Sequence, residues 1–67
     1  MKIYRLKKDY KHLFKKGAIF FLVSHSEFIG VKEFVLQSQD LKVKLNVNEE
    51  ELESYFFESK EFIYTGE

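Results

Sequence analysis

Apolar and polar residues alternate over much of the chain, and where the alternation breaks it marks turns, a loop and one helix. Residues 2–8 read as a strand, with Tyr4 and Leu6 on one face and Ile3, Arg5 and Lys7 on the other. Residues 9–17 show no clean period and read as a loop, with a helical turn tucking in Leu13 and Phe14 and with Gly17 closing it. Residues 18–23 are apolar at every position, β-branched and aromatic, which predicts a central strand. If one of its faces points outward, then Ala18, Phe20 and Leu22, or the alternate set, need cover from the loop or the helix.

Residues 24–27 read as a polar connection, and residues 28–37 as a longer strand. In it Ile29 and Val31 share one parity, whereas Phe34 and Leu36 share the other. Such a shift predicts a bulge or bend near Gly30. After a turn at residues 38–40, residues 41–47 alternate without a fault: Leu41, Val43, Leu45 and Val47 inward, Lys42, Lys44 and Asn46 outward.

Local chemistry then specifies a helix start. Asn48 suits the N-cap, and Glu51 stands three residues on, as in a capping box. Val47 and Leu52 are placed as a hydrophobic staple. Glu49, Glu50 and Glu51 lie where the positive end of the helix dipole favours carboxylates. Leu52, Tyr55 and Phe56 form one apolar stripe, with Phe57 off it. Residues 61–65 read as a last strand.

The expected fold is mainly β (α+β): a small five-stranded antiparallel barrel or half-barrel with one short acidic helix before the last strand. Two stretches carry a resemblance: Phe14-Lys15-Lys16-Gly17-Ala18-Ile19-Phe20, entering the second strand, and Leu41 to Val47, leading into Glu50-Glu51-Leu52 and Tyr55-Phe56. In layout the chain resembles the SH3-like small barrels, including short proteins of bacteria and their phages. The resemblance implies a binding role. Proline-rich peptides are not the implied ligand, because the chain has no Trp, no Pro, and a basic rather than acidic long loop.

Composition narrows the chemistry. With 67 residues the chain has room for one domain, and its eight Phe and four Tyr supply a core. The absence of cysteine excludes disulfides, thiolate metal sites and a cysteine nucleophile, and favours a cytoplasmic location. The longest apolar run is too short to span a membrane. The Lys/Glu/Phe/Ile/Tyr-rich, proline-free composition fits an AT-rich bacterial or phage genome.

The net charge is zero but segregated: residues 1–17 hold seven Lys/Arg and one Asp, whereas residues 46–67 hold seven Glu and one Lys. Either the two ends lie together in the fold, or one is a docking surface.

No constellation points to catalysis, a metal or a cofactor. His12 and His25 lack partners at ligand spacing. Ser24-His25-Ser26 lacks a third group to orient a base. The chain is therefore expected to be a non-catalytic binding protein, monomeric or weakly dimeric through a sheet edge.

One reading is a phage or mobile-element protein that binds and modulates a host protein through Glu50, Glu53, Tyr55 and Phe57, or through exposed strand aromatics. The other is a nucleic-acid-binding barrel using Lys7, Lys8, Tyr10, Lys11, Lys15 and Lys16, with charge for phosphates and rings for bases.

Overall fold

The computed structural model describes residues 2–59. Strand β1 (Ile3–Leu6) buries Tyr4 and Leu6 and leaves Ile3 and Arg5 half-buried, as its alternation requires. It lies between β2 (Ile19–Phe28) and β5 (Phe56–Ser59). Strands β3 (Val31–Ser38) and β4 (Lys44–Asn48) continue from β2, so the sheet order is β4-β3-β2-β1-β5 with every pairing antiparallel. The sheet curls into a half-barrel, and helix α1 (Glu49–Tyr55) joins its two edge strands and packs on β3, β4 and β5.

Every strand and the helix contribute to one core: Tyr4, Leu6, Phe20, Leu36, Leu45, Val47, Leu52 and Phe56, with Tyr10 added by the long loop. Phe20, fully buried, stands edge-on to Phe14 at 5.0 Å and to Phe56 at 5.3 Å between ring centroids. Edge-to-face packing sets the positive ring edge against the negative ring face, which favours this geometry over a face-to-face stack.

The helix begins as its local chemistry dictates. Asn48 Oδ1 accepts the Glu51 N–H at 2.8 Å, and Glu51 Oε1 accepts the Asn48 N–H at 3.1 Å. A helix of seven residues has little intrinsic stability, so its cap matters. Asn48→Ala is expected to cost about 1 kcal/mol, read from the midpoint of urea denaturation. No shift in that midpoint would mean that packing alone holds α1.

At the other end, the helix's own last turn has no basic residue. Lys7 supplies one: its Nζ donates to the Glu53 carbonyl and its backbone N–H to the Tyr55 carbonyl, each at 2.6 Å. A cation there complements the negative end of the dipole. Lys8 Nζ sits 4.7 Å from the centre of the Tyr55 ring. Part of the basic N-terminal third thus lies against the acidic helix, which accounts for some of the charge segregation without a ligand.

Four expectations about element boundaries are corrected. Residues 24–27 are strand, not connection, because a β ladder is made of backbone bonds and continues through polar residues. No bulge interrupts β3: Gly30 belongs to the turn itself, Ile29 and Val31 are exposed rather than inward, and the register shift lies in β2, at Val23 between Leu22 and Ser24. Leu41, expected inward, is exposed at φ 66°. There Ser38 Oγ donates to Asp40 at 2.6 Å and accepts the Val43 N–H at 3.1 Å, while Asp40 accepts the Lys42 N–H at 3.0 Å. These local bonds hold the chain in a turn until Lys44. They favour the charged carboxylate, the Ser38 bond most, and keep the Asp40 pKa below its ordinary value.

The fourth correction concerns the end of the helix. Phe56 leaves it with φ −126° and ψ 160° and opens β5, so the fifth strand of the sheet directly follows α1. The strand expected at 61–65 lies outside the described residues.

Candidate functional site

Toward their shared turn β2 and β3 form an arm, flanked by β4 as far as Glu33 and two-stranded only beyond it. Its rungs are Ser24–Val35, His25–Phe34, Ser26–Glu33, Glu27–Lys32 and Phe28–Val31. All six residues from Val23 to Phe28 are exposed. The molecule is correspondingly long, 40 × 28 × 22 Å, and its Cα radius of gyration of 12.0 Å exceeds the ~11 Å of a compact chain of this length.

Ile29 and Gly30 form the turn at the end of the arm, with φ of 51° and 77°. Positive φ at both central residues is the mark of the type I′ turn, whose twist matches the strands it joins. Glycine takes that conformation freely, and a Cβ at Gly30 would meet only open space, so its constraint is the backbone angle alone. Ile29 is the anomaly. A β-branched residue at positive φ crowds its own backbone, a strain of about 1–3 kcal/mol.

The side chains there are as unusual as the backbone. Ile29 is 83% exposed, Phe28 74% and Val31 57%. Turn positions normally carry Asn, Asp or Gly, which accept the geometry and are hydrated. Here a strained backbone presents three apolar side chains to solvent, around an open hollow of about 440 Å³ that Ser26 and Glu33 also line. Ile29→Asn, which creates the preferred Asn-Gly turn, is expected to stabilise the fold by about 1 kcal/mol, measured by thermal and urea denaturation. A destabilised variant would show that the strain is not there.

The residues singled out from the sequence are placed less favourably. Glu50 and Glu53 are exposed on α1, but Tyr55 is half-buried with its ring edge-on to Tyr10 at 5.0 Å. Phe57 is not on the helix: it pairs with Arg5 on the outer face of the sheet and is 45% exposed. Of the basic set, Lys7 and Lys8 lie against α1, and Lys11 Nζ is 5.2 Å from the centre of the Tyr10 ring. Tyr10 itself is core, and Phe14 packs on Phe20. The loop therefore offers exposed lysines, including Lys15 and Lys16, but turns its rings away from any base.

Ser24 and Ser26 share one face of the arm, whereas His25 takes the other beside Phe34, at 6.1 Å between rings. Alternation thus separates the hydroxyls from the imidazole. No cluster of His, Asp and Glu suited to a metal occurs among the described residues. No helix among them is long and apolar enough to cross a membrane.

Phe28, Ile29 and Val31 escaped sequence reasoning as a site because they read as ordinary strand residues. The available signal was Ile29-Gly30 itself, a glycine flanked on both sides by apolar residues. Comparison with protein-family models, curated proteins and solved structures gives no match.

Proposed function

We propose that the protein is a non-catalytic binding protein that docks on another protein through the tip of the β2–β3 arm. One observation carries this reading: Phe28, Ile29 and Val31 stand exposed together on a turn whose backbone is strained to hold an isoleucine. Exposed apolar clusters cost solubility, and strained turns cost stability. Both are tolerated where a partner buries the cluster. A nucleic-acid role is less well supported, since Tyr10 and Phe14 face the core.

On composition and resemblance, we read the chain as a small cytoplasmic phage or mobile-element protein with a bacterial protein as its target. The test is capture from nuclease-treated bacterial lysate, read by mass spectrometry, using three forms of the tagged chain. Wild type and a helix variant, Glu50→Lys/Glu53→Lys, are expected to retain the same stoichiometric protein. A tip variant, Phe28→Ser/Ile29→Asn, is expected to lose it. Loss in the helix variant alone would move the surface to α1, and loss of all bound protein on nuclease treatment would favour nucleic acid.

A further inference from the structure

The arm tip and the long loop lie at opposite ends of β2. Its ten residues span roughly 33 Å at the rise of an extended chain, in a molecule whose longest dimension is 40 Å. The loop leads into Ile19, and the tip follows Phe28. The two ends cannot meet within one molecule.

They are nevertheless complementary. The tip is apolar, and its surround of Glu27, Lys32, Glu33 and Glu49 has three carboxylates against one ammonium, a net −2. Lys32 is engaged by Glu49 at 3.7 Å, and Glu33 lies on the same face of the arm as Phe28 and Val31. The loop end has the opposite character. Between the loop and the β3–β4 turn lies an open hollow of about 440 Å³, lined by Phe14, Ala18, Ile19 and Phe20 and by the polar Ser38, Gln39 and Asp40. That volume lies within the range of pockets that hold small ligands, roughly 300–1,000 Å³.

Residues 9–17 beside this hollow carry three lysines and one aspartate, a net +2. Lys15 and Lys16 are exposed there. The Asp40 carboxylate is turned into its own turn by Ser38 and the Lys42 N–H, and Asp9 accepts the Lys16 N–H at 2.9 Å. The lysine ammonium groups therefore set the character of this end.

We infer that the occupant of this hollow is the arm tip of a second copy, giving a head-to-tail assembly. Phe28 and Ile29 enter the hollow, and Glu33, on the same face of the arm as Phe28, meets Lys15 and Lys16. The negative surround of the tip disfavours an anionic membrane or nucleic acid as its partner and favours a cationic rim, which the chain itself carries. A contact between two different patches does not close in a dimer, so it propagates or forms a ring. The inference shares the tip with the binding role proposed above but not its partner.

Sedimentation of the full chain from micromolar to millimolar concentration, at low and high salt, tests the assembly. The average mass is expected to rise past two chains with concentration and to fall with salt. Phe28→Ser/Ile29→Asn and Lys15→Glu/Lys16→Glu are each expected to weaken association by roughly tenfold or more. Thermal melts establish that both variants fold, and the Asn-Gly turn favours the first. The deciding experiment mixes them. Each variant keeps one intact end, so the mixture is expected to form dimers and nothing larger.

A single monomeric mass for wild type at every concentration overturns the inference, while leaving tip-dependent capture of a foreign protein untouched. Assembly that survives loop charge reversal but not the tip variant would mean tip-to-tip pairing. Assembly that survives the tip variant would mean pairing through a sheet edge. Either result also overturns the inference. Capture unaffected by the tip variant would instead sink the binding role, whatever sedimentation shows.

Discussion

Phe20→Ala is expected to destabilise the protein by about 3–5 kcal/mol, the usual cost of removing a fully buried ring. A chain of this size has on the order of 3–10 kcal/mol of stability in all, so much of the population would be unfolded at ambient temperature. Phe20 is fully buried in the central part of the sheet, where its ring meets both Phe14 of the loop and Phe56 of β5. Its removal leaves a cavity between the two neighbouring rings. Phe20→Leu keeps most of the volume and is expected to cost about 1 kcal/mol. Urea denaturation followed by circular dichroism separates the two. Equal midpoints for the alanine variant and wild type would show that the three-ring cluster is not what holds the half-barrel closed.

Phe28→Ser/Ile29→Asn is expected to weaken partner binding by about 2–4 kcal/mol, or roughly 30- to 1,000-fold, while the fold stays at least as stable as wild type. Large aromatic and aliphatic anchors at the centre of an interface carry most of its energy, and here two of the three exposed tip side chains are removed together. The opposite signs make the experiment informative. A substitution that weakened binding by unfolding the arm would also lower the melting temperature, whereas relief of strain at Ile29 raises it. Titration of the captured partner against both forms by calorimetry, beside their thermal melts, reads both quantities. Unchanged affinity would remove the arm tip from the interface.

Several parts of the molecule were legible in the residues because they depend on short-range chemistry. The helix start at Asn48 is one: its cap and the reciprocal Glu51 bond span three residues and need nothing distant. The alternation in β1 and the inward faces of Leu45 and Val47 are others, since side-chain direction along a strand follows from pleating alone. The parity change read between Ile29, Val31 and Phe34, Leu36 marked no bulge in β3: Ile29 lies in the turn and Val31 on the exposed face. Leu41 shows how local chemistry can also mislead. Its alternation with Val43 is perfect on paper, yet the hydroxyl of Ser38 and the carboxylate of Asp40 hold that segment in a turn.

The candidate site was much less legible, and the reason is physical. Polarity along a chain tells which residues prefer burial, not which ones find it. Tyr10 in a lysine-rich loop looked available for stacking on a base, but the loop folds over the sheet and Tyr10 packs between Tyr55 and Phe56. Phe57 looked like part of a helix surface, but pairing of Phe56 with Leu6 ends the helix and sends Phe57 to the outer face of the sheet.

By itself, then, the sequence determined the helix start and its cap, the antiparallel β character, the inward parity of the regular strands, and the supply of aromatic residues for a core. All of these rest on interactions within a few residues or on a simple period. Only the tertiary structure decided how far β2 and β3 pair beyond the core, that their turn falls on Ile29-Gly30, and that Phe28, Ile29 and Val31 remain uncovered there. A β ladder is closed by backbone groups that every residue here possesses, so its length and the place where it turns are set by which distant strand lies alongside.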